Sequence, residues 1–424
     1  MHHPTTRLFS RADVLAAVER NGRELENASS ALRDDAAVVV TAVRRYGRAL
    51  CYASRRLRGD REVVLAAVRT DGWALQYASP ELRADRDIVL AAIASENGWA
   101  LEFASTSLRA DREVVLAAAA HNGRAALYCA SRELRADRAV VLAAVAQDGI
   151  ALQHASDALR ADHAVALTAT HRNGWALVHA SQELRANRQV VLAAVTALGD
   201  VLRYASLPLR ADRAVVLAAV STDGLALRHA PWTMRHDRDV VLAAVRQNGR
   251  AVVYASSVLL NDREVVLAAA ATYERAVASG SSSFGSDRAF VLAAAAVNGR
   301  VLVHASTALR HDRVVVLAAV SQNGQVLADV PTALRSERAV VLSAVTQNGM
   351  ALGDAPAVLR GDLEVVLAAV TSRGVALRHA STPLRADRAV VLAAVEQNGF
   401  ALRYASAALM HRAGHAIRAA AVWE

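Results

Sequence analysis

The hydrophobic and polar positions of this chain follow a pattern that returns about every 25 residues. A representative copy, DREVVLAAVRTDGWALQYASPELRA, starts at Asp60. Equivalent copies start at Ser10, Asp35, Asp85, Asp111, Asp137, Asp162, Asn187, Asp212, Asp237, Asp262, Asp287, Asp312, Glu337, Asp362 and Asp387. The two steps that begin at Asp85 and at Asp111 are 26 residues long. Self-similarity at a fixed period of this length is typical of repeat arrays.

Each copy opens with a predicted helix. The Asp at its start is an N-cap signal, because its carboxylate can accept a hydrogen bond from an unpaired N–H of the first turn. The run VVLAAV that follows supplies about two and a half helical turns. A Gly comes next, from Gly22 to Gly399, and only one full repeat replaces it, with Glu274. We expect this Gly to end the helix in the left-handed C-cap conformation.

A second helical segment follows the Gly. Leu75, Ala78 and Leu82 stand at i, i+3 and i+7, which places them on one face of a helix. Pro80, Pro208 and Pro383 fall between the Ala-Ser pair and the last Leu of their repeats. Since Pro is tolerated in a first turn but not in a helix interior, we expect the second helix to break near the Ser and restart as one short turn.

A helix-turn-helix repeat of this size cannot bury its own apolar stripe, so the copies must stack on one another. The sequence therefore predicts an all-α fold, an α-solenoid in which about sixteen repeats form a superhelical stack. We expect an N-terminal tail at residues 1–9, a single solenoid at 10–411 and a truncated capping repeat at 412–424. The unit at 262–286 is degenerate, because a Gly/Ser-rich stretch from Ser279 to Ser286 replaces its second half. That stretch predicts a loop, and hence a hinge or a partner-facing segment.

The segments EVVLAAV, QNG and ALxYAS resemble the tandem repeats of domain-of-unknown-function family 4116. The likeness covers essentially the whole chain, although this chain has Arg where such repeats often have Lys. It implies a helical-repeat fold and brings no activity with it. A looser likeness to the repeats of transcription-activator-like DNA readers is disfavoured. Those repeats vary the residues that read bases, whereas the turn here is nearly constant, as in QNG at 247–249 and 322–324.

Composition and charge narrow the possibilities further. The formal net charge is +9, and all 49 Lys and Arg residues are Arg, against 40 acidic residues. This mild excess permits nucleic-acid binding without requiring it. Cys51 and Cys129 show no metal or disulfide spacing, which suits a reducing compartment. The sequence MHHPTTRLFSRADVLAAV has no signal-peptide pattern, and the apolar runs are too short to span a membrane. We therefore expect a cytoplasmic protein.

The residue directly after the repeated Gly varies from copy to copy. Where an array keeps its core constant and varies one position, that position is expected to face solvent, and Trp and Arg there are typical interface anchors. An unconstrained position is the alternative interpretation. The candidate partner-binding residues at this position are Trp73, Trp99, Arg124, Trp175, Arg250, Arg300 and Phe400. Trp73 and Trp99 are the best candidates for a binding hot spot.

Two rows of arginines run along the repeats. The first row follows the helix start and comprises Arg61, Arg86, Arg112, Arg138, Arg213, Arg238, Arg263 and Arg388. The second row lies two residues before the helix start and comprises Arg58, Arg83, Arg109, Arg135, Arg160, Arg185, Arg210 and Arg385. Both rows flank an acid, so the favoured interpretation is structural pairing with carboxylates or helix-end carbonyls. The alternative is a track for phosphates.

The position before each Ala-Ser pair holds an aromatic residue, a His or an acid, which predicts a half-buried side chain with a polar tip. His304, Asp329, Asp354 and His379 occupy it in four consecutive repeats. Metal ligands must converge at about 2.1 Å from one ion, which stacked repeats do not allow. Gly280 and Gly285 lack the Lys and the strand of a phosphate loop. We therefore expect neither a metal nor a cofactor.

No catalytic constellation stands out, because every Ser, His and Asp of interest recurs once per repeat, whereas catalysis needs a unique convergent pocket. The leading hypothesis is a non-enzymatic protein-interaction scaffold that presents an extended repeat surface to a protein partner. The alternative is sequence-independent nucleic-acid binding along the Arg rows, and a third possibility is a spacer. No membrane association is expected.

Overall fold

A computed structural model describes residues 10–95, 98–280, 283–407 and 409. The predicted tail at 1–9 and the predicted capping repeat at 412–424 lie outside these described residues. The described chain is all-α and contains no β-strand. None of its helices is both long and apolar enough to cross a bilayer. The chain divides into two compact units, Met1–Thr222 and Asp223–Glu424. Each unit is an α-solenoid of stacked repeats.

One repeat shows how the pattern folds. The repeat that starts at Asp60 has a ten-residue α-helix at Arg61–Thr70, a six-residue 3₁₀-helix at Gly72–Tyr77 and a closing 3₁₀ turn at Leu82–Ala84. We call these three elements the long helix, the 3₁₀ segment and the closing turn. Ala78 between the last two is extended, with φ −67° and ψ 156°. The predicted break before the Pro is therefore confirmed.

The N-terminal unit contains nine long helices among its described residues: Arg11–Arg20, Ala36–Arg45, Arg61–Thr70, Arg86–Ser95, Arg112–His121, Arg138–Gln147, His163–Arg172, Arg188–Ala197 and Arg213–Thr222. Its second segments are Gly22–Asn27, Gly47–Tyr52, Gly72–Tyr77, Trp99–Phe103, Gly123–Cys129, Gly149–His154, Gly174–His179 and Gly199–Tyr204. Its closing turns are Leu32–Asp34, Leu57–Gly59, Leu82–Ala84, Thr106–Arg109, Leu134–Ala136, Asp157–Arg160, Leu184–Ala186 and Leu207–Arg210.

The C-terminal unit repeats the same order. Its long helices are Arg238–Gln247, Arg263–Ala270, Arg288–Val297, Arg313–Gln322, Arg338–Gln347, Leu363–Ser372 and Arg388–Gln397. Its second segments are Gly224–His229, Gly249–Tyr254, Ala276–Ser279, Gly299–His304, Gly324–Asp329, Gly349–Asp354, Gly374–His379 and Gly399–Tyr404. Its closing turns are Trp232–Arg235, Leu259–Asn261, Phe284–Ser286, Thr307–Arg310, Thr332–Arg335, Leu359–Gly361 and Thr382–Arg385.

The core consists of small and medium side chains. In the repeat at Asp60, Val63, Val64, Ala67 and Val68 of the long helix are buried, and so is Leu75 of the 3₁₀ segment. Burying one Val or Leu side chain contributes about 1.5–3 kcal/mol. Because the long helices and the 3₁₀ segments of neighbouring repeats pack on each other, every repeat shares its core with the next one. This arrangement is the physical basis of the stack.

The helix starts are as predicted. The carboxylate of Asp60 accepts hydrogen bonds from the N–H groups of Glu62, at 3.0 Å, and Val63, at 3.1 Å. The same bonds recur in both units, and Asn187 makes them with its amide oxygen. Glu337 is the exception, because its longer side chain makes no cap hydrogen bond.

The predicted role of the repeated Gly is wrong. Among the described glycines only Gly98 has a positive φ, of 89°. Elsewhere the residue before the Gly ends the long helix in an extended conformation, as Asp71 does with φ −153°. The Gly instead allows close contact between repeats, because a Cβ on Gly47 would lie 2.6 Å from the backbone oxygen of Ala67 in the next repeat. A real Cβ atom essentially never lies so close to another non-bonded atom.

The extra residue of the two 26-residue repeats is accommodated in two ways. In the repeat at Asp85 it falls before Gly98, whose left-handed conformation joins the long helix to the 3₁₀ segment. In the repeat at Asp111 it falls inside the second segment, and Gly123–Cys129 becomes a seven-residue α-helix. Two 3₁₀ turns hold about six residues and two α turns about seven, so the change of helix type absorbs one residue.

The degenerate repeat keeps its place in the stack. The stretch that we predicted as a loop contains a closing turn at Phe284–Ser286, while Ser281 and Ser282 lie outside the described residues. A four-residue α turn at Ala276–Ser279 replaces the 3₁₀ segment. Phe284 takes the place of the closing-turn Leu, is buried, and stacks on Phe290 with ring centroids 4.5 Å apart. The hinge remains a prediction.

Candidate interaction surface

The variable residue after each Gly lies at the start of the 3₁₀ segment. The Asn or Asp before the Gly fixes it there, since the Asn173 side-chain oxygen accepts a hydrogen bond from the Trp175 N–H at 3.0 Å. The same bond, at 2.9 Å, joins Asp71 to the Trp73 N–H. The backbone of this position is therefore held rigidly while its side chain is free to vary. This is the behaviour expected of an array that presents different side chains from one scaffold.

In the N-terminal unit, this position meets the position before Ala-Ser of the next repeat. The rings of Trp73 and Phe103 have centroids 5.3 Å apart, and those of Trp175 and Tyr204 are 6.0 Å apart. The two positions, which the sequence presents as separate rows, thus form one surface along the 3₁₀ segments. We call the surface made by these two positions between residues 73 and 204 the aromatic stripe.

A second cluster of rings lies in the middle of the aromatic stripe. Trp99 contacts Tyr128 at 5.9 Å between centroids, and Tyr128 contacts His154 at 5.4 Å with nearly perpendicular rings. Tyr128 is 53% exposed. Sequence reasoning missed Tyr128 because it counted back from Ala-Ser and reached Cys129. Counting five residues forward from Gly123, as from Gly72 to Tyr77, would have found it.

Arginines lie over the rings of two of the tryptophans. The guanidinium carbon of Arg48 lies 5.4 Å from the centroid of the Trp73 ring, and that of Arg203 lies 5.3 Å from the centroid of Trp175. Such cation–π contacts help to hold the rings in place. Trp175 is 38% exposed, whereas Trp73 and Trp99 are half-buried.

The remaining predicted residues are all exposed. Arg124 is exposed and pairs with Asp148 at 3.2 Å. Arg250, Arg300 and Phe400 belong to the C-terminal unit, where all three are exposed and Phe400 is 78% exposed. The structure therefore pairs each Trp of the predicted set with an aromatic residue of the next repeat.

The first arginine row is neutralised by acids of the next repeat. Arg188 contacts the N-cap carboxylate of Asp212 at 2.9 Å, and Arg338 contacts that of Asp362 at the same distance. The guanidinium of Arg188 and the backbone N–H of Val215 hold the pKa of Asp212 below its ordinary value. Equivalent pairs are Arg11–Asp35, Arg61–Asp85, Arg112–Asp137, Arg138–Asp162, Arg238–Asp262, Arg263–Asp287, Arg288–Asp312 and Arg313–Glu337. The structural interpretation of this row is confirmed.

The second arginine row is half-buried beneath the ends of the 3₁₀ segments. Its backbone joins the repeats, because the N–H of Ser79 donates to the backbone oxygen of Arg58 at 2.9 Å, and so on along the stack. Within the described chain, ten arginines at this position have a buried Nε without a hydrogen-bond partner: Arg33, Arg58, Arg83, Arg109, Arg135, Arg185, Arg210, Arg310, Arg360 and Arg385. The two rows thus have different environments.

The QNG turn, which occurs in four of the repeats, forms a joint between neighbouring repeats. Its Asn caps the 3₁₀ segment of its own repeat, and its Gly contacts the long helix of the next one. Its Gln reaches back one repeat, because Oε1 of Gln347 accepts a hydrogen bond from the Gly324 N–H at 2.7 Å. The profile of the domain of unknown function DUF4116 matches eleven segments that together cover most of the chain. The chain belongs to the DUF4116 family.

The segments that match DUF4116 correspond to the repeats of the structure. They cover residues 12–58, 60–109, 93–135, 111–160, 137–185, 162–208, 187–235, 237–276, 287–335, 337–385 and 362–410. The gap at 277–286 coincides with the second half of the degenerate repeat. No curated protein matches the chain, and no solved structure matches it. Membership of DUF4116 therefore establishes the repeat architecture and leaves the activity open.

Four histidines of this DUF4116 chain stand before Ala-Ser, and burial lowers the pKa of each of them. Burial, and then the positive charge of Arg135, lower the pKa of His154. Burial and Arg160 do the same for His179. His304 and His379, which the sequence placed in one row with Asp329 and Asp354, lie in different repeats. No group of three potential metal ligands lies together among the described residues.

Proposed function

We propose that this DUF4116 protein is a non-enzymatic interaction scaffold whose contact surface for a protein partner is the aromatic stripe. The observation that carries the proposal is the pairing of Trp73 with Phe103 and of Trp175 with Tyr204 across repeat boundaries. Aromatic and Arg side chains that are held in place by their neighbours lose little conformational entropy on binding, which makes them effective anchors. The pairing gives neighbouring repeats a shared surface.

The main alternative is sequence-independent nucleic-acid binding along the arginine rows. Phosphate binding requires cations that are free to replace counter-ions. The exposed first row is already paired with carboxylates, as Arg61 is with Asp85 at 3.0 Å. The second row is half-buried. Both observations favour a protein partner.

A cytoplasmic location and the lack of catalysis belong to the same proposal. Cys51 and Cys129 are both free thiols, which fits a reducing compartment. Burial of the Cys129 thiol raises its pKa to about 12, so this cysteine is not a nucleophile near neutral pH. The proposed function needs no cofactor.

A nuclease-treated pull-down from host lysate tests the proposal. The bait variants are the pair Trp73→Ala with Trp175→Ala, and the control Leu207→Ala, which removes a side chain that is 71% exposed on a closing turn. Truncation of an anchor costs about 2 kcal/mol or more of binding free energy. We expect the control and the wild type to retain a partner that the double variant loses, with unchanged circular dichroism for all three. Recovery that depends on nucleic acid, or equal recovery by the double variant, would contradict the proposal.

A further inference from the structure

Nine repeats have an Asn directly before the repeated Gly. In an Asn-Gly pair the backbone nitrogen of the Gly can attack the side-chain carbonyl carbon of the Asn, and the absence of a Gly side chain leaves this attack unhindered. Asn in such pairs is therefore chemically labile. The structure describes eight of the pairs, which begin at Asn21, Asn122, Asn173, Asn248, Asn298, Asn323, Asn348 and Asn398. Whether a pair reacts depends on the freedom of its Gly to turn towards the Asn side chain.

In seven of these eight pairs the next repeat covers the Gly. The buried glycines are Gly22, Gly123, Gly174, Gly249, Gly299, Gly324 and Gly349. A Cβ on Gly324 would lie 2.2 Å from the backbone oxygen of Ala344, and the Gly324 N–H donates to Gln347 at 2.7 Å. The attack requires the Gly nitrogen to lose its proton and the peptide to rotate, so packing and the hydrogen bond both oppose it. Such a pair reacts only when neighbouring repeats separate locally.

The pair of Asn398 and Gly399 lies in a different environment. Gly399 is exposed, and a Cβ on it would have no described atom within 4 Å. The Gln that bonds to Gly324 comes 23 residues later in the sequence, and Val422 stands at the same distance after Gly399. Since a Val side chain contains no hydrogen-bond acceptor, the sequence supplies no equivalent of that bond. Among the described Asn-Gly pairs, this one alone has an exposed Gly.

The side chain of Asn398 is held close to the peptide that would attack it. Its Oδ1 accepts a hydrogen bond from the Phe400 N–H at 3.0 Å, which keeps the carboxamide near the intervening Gly399 nitrogen. Negative charge develops on Oδ1 when that nitrogen adds to the carbonyl carbon, and the same N–H can stabilise it. Asn323 makes the same bond, to the Gln325 N–H at 3.1 Å. The two pairs therefore differ chiefly in the cover over their Gly.

We propose that Asn398 is a deamidation site of the folded protein and that Gly399 supplies the attacking nitrogen. The Gly399 nitrogen gives its proton to a base in the solvent and bonds to the Asn398 Cγ. The bond from Cγ to the side-chain nitrogen breaks, and that nitrogen takes up a proton and leaves as ammonia. Water then adds to either carbonyl of the cyclic imide and opens it to aspartate or isoaspartate. Water is the only co-reactant consumed, and the reaction is independent of the proposed scaffold function.

The two products have different consequences for the last described repeat. Aspartate is tolerated at this place, because Asp71 makes the same hydrogen bond to the Trp73 N–H at 2.9 Å. Isoaspartate instead carries the main chain through the former side chain, so no side-chain oxygen remains in place to accept the Phe400 N–H. We therefore expect isoaspartate to loosen the 3₁₀ segment Gly399–Tyr404.

Ageing of the full chain tests the proposal. The protein is kept in mildly alkaline buffer at physiological temperature and digested with an acid protease. Peptide mass spectrometry and labelling with an isoaspartate methyltransferase then locate the products. We expect deamidation at Asn398 to be at least about tenfold faster than at Asn323 and Asn348. In denaturing urea, where no repeat covers a Gly, the same three sites should react at rates within about threefold of one another.

Two controls separate the causes. Gly399→Ala adds a methyl group that meets no described atom, so circular dichroism should be unchanged while deamidation of Asn398 slows by at least about tenfold. Asn173 tests packing apart from hydrogen bonding. Its neighbour Gly174 is buried, but the residue at the place of the bonding Gln is Ala197, which has no side-chain acceptor. We expect Asn173 to react at least about tenfold more slowly than Asn398.

Three results would overturn the proposal. Equal rates at Asn398, Asn323 and Asn348 in the folded chain would show that an exposed Gly makes no difference. An undiminished rate in Gly399→Ala would show that the attack does not come from this backbone nitrogen. A rate at Asn173 equal to that at Asn398 would show that the packing of the next repeat gives no protection.

Discussion

The backbone N–H of Gly324 donates a hydrogen bond to the side-chain oxygen of Gln347, 2.7 Å away in the next repeat. The same bond joins Gly299 to Gln322 at 2.7 Å and Gly224 to Gln247 at 2.6 Å. In each of these joints, the Gly of one repeat donates its backbone N–H to the Gln side chain of the next repeat. Two predictions concern the two halves of this joint.

Gly324→Ala should destabilise the C-terminal unit strongly. Its new Cβ would lie 2.2 Å from the backbone oxygen of Ala344, so the two repeats would have to move apart. We expect a loss of about 3 kcal/mol, at the upper end of the cost of overpacking a core. The control is Gly361→Ala, whose Cβ would make only ordinary contacts, at 3.6 Å from the Ser381 hydroxyl oxygen. Urea denaturation measures the free energy of unfolding of both variants. Equal losses would mean that the close contact of residue 324 with the Ala344 backbone does not determine stability.

Gln347→Val should cost about 1 kcal/mol or more, because it leaves the buried Gly324 N–H without a partner. Gln347→Thr should recover most of this loss. At the equivalent place three repeats earlier, the hydroxyl of Thr272 accepts the hydrogen bond of the Gly249 N–H at 2.9 Å. Hydrogen exchange of the Gly324 amide reports the bond directly. Exchange at the same rate in the Val and Thr variants would contradict the assigned role.

Glu337→Asp should stabilise the protein. Glu337 is the N-cap of the helix Arg338–Gln347 but makes no cap hydrogen bond, although it pairs with Arg313 at 2.8 Å. A shorter side chain would reach the first N–H groups of the helix, as Asp312 does at 2.9 Å in the preceding repeat. We expect a gain of about 0.5–1 kcal/mol.

The reciprocal change, Asp312→Glu, serves as the control for this prediction. Asp312→Glu should destabilise the protein by about as much as Glu337→Asp stabilises it. Both effects are measured as shifts of the urea midpoint. A neutral result for both substitutions would show that the cap bond contributes little in this stack.

Acid should destabilise the stack through its N-cap carboxylates. The ion pair with Arg338 and the backbone N–H of Val365 lower the pKa of Asp362. Because the folded-state pKa lies below the unfolded one, the stabilisation is fully present above the unfolded value of about 3.9 and is lost as the pH falls through the folded value. We expect urea midpoints that are nearly constant from about pH 7 to pH 5 and decline below about pH 4.

Asp362→Asn provides the matched variant for the acid prediction. It removes one titrating group and keeps an amide oxygen as the cap, as Asn187 does for the Gln189 N–H at 3.0 Å. Its stability should therefore depend less steeply on pH below about 4 than that of the wild type. Parallel pH profiles for the two proteins would show that this carboxylate does not contribute to acid sensitivity.

The sequence predicts correctly the elements that depend on interactions between residues only a few positions apart. The N-cap role of Asp60 follows from its own carboxylate and the next three residues. Pro80 is tolerated in the first turn of a helix but not in its interior, and this explains the break at Ala78 and the restart as a closing turn. The type of the second segment was not predictable in this way. Six residues such as Gly72–Tyr77 form a 3₁₀-helix between two repeats, whereas the seven residues Gly123–Cys129 form an α-helix in the same space.

The role of the repeated Gly could not be inferred locally either. A Gly after a helix is usually read as a C-cap, and the sequence contains nothing that contradicts this interpretation. The actual reason is an atom in the next repeat, the backbone oxygen of Ala67 in the case of Gly47. The same holds for Gln347, whose partner Gly324 lies 23 residues earlier.

The sequence by itself determined that this protein is a stack of helical repeats, where each helix begins, and which positions vary. Those properties follow from the period and from bonds within a few residues. Only the tertiary structure decided which positions of neighbouring repeats meet. It joined Trp73 to Phe103 and set the first arginine row against the acids of the next repeat. The physical reason is that a period fixes the order of positions along the chain, but the packing of successive cores fixes the offset at which one repeat lies on the next.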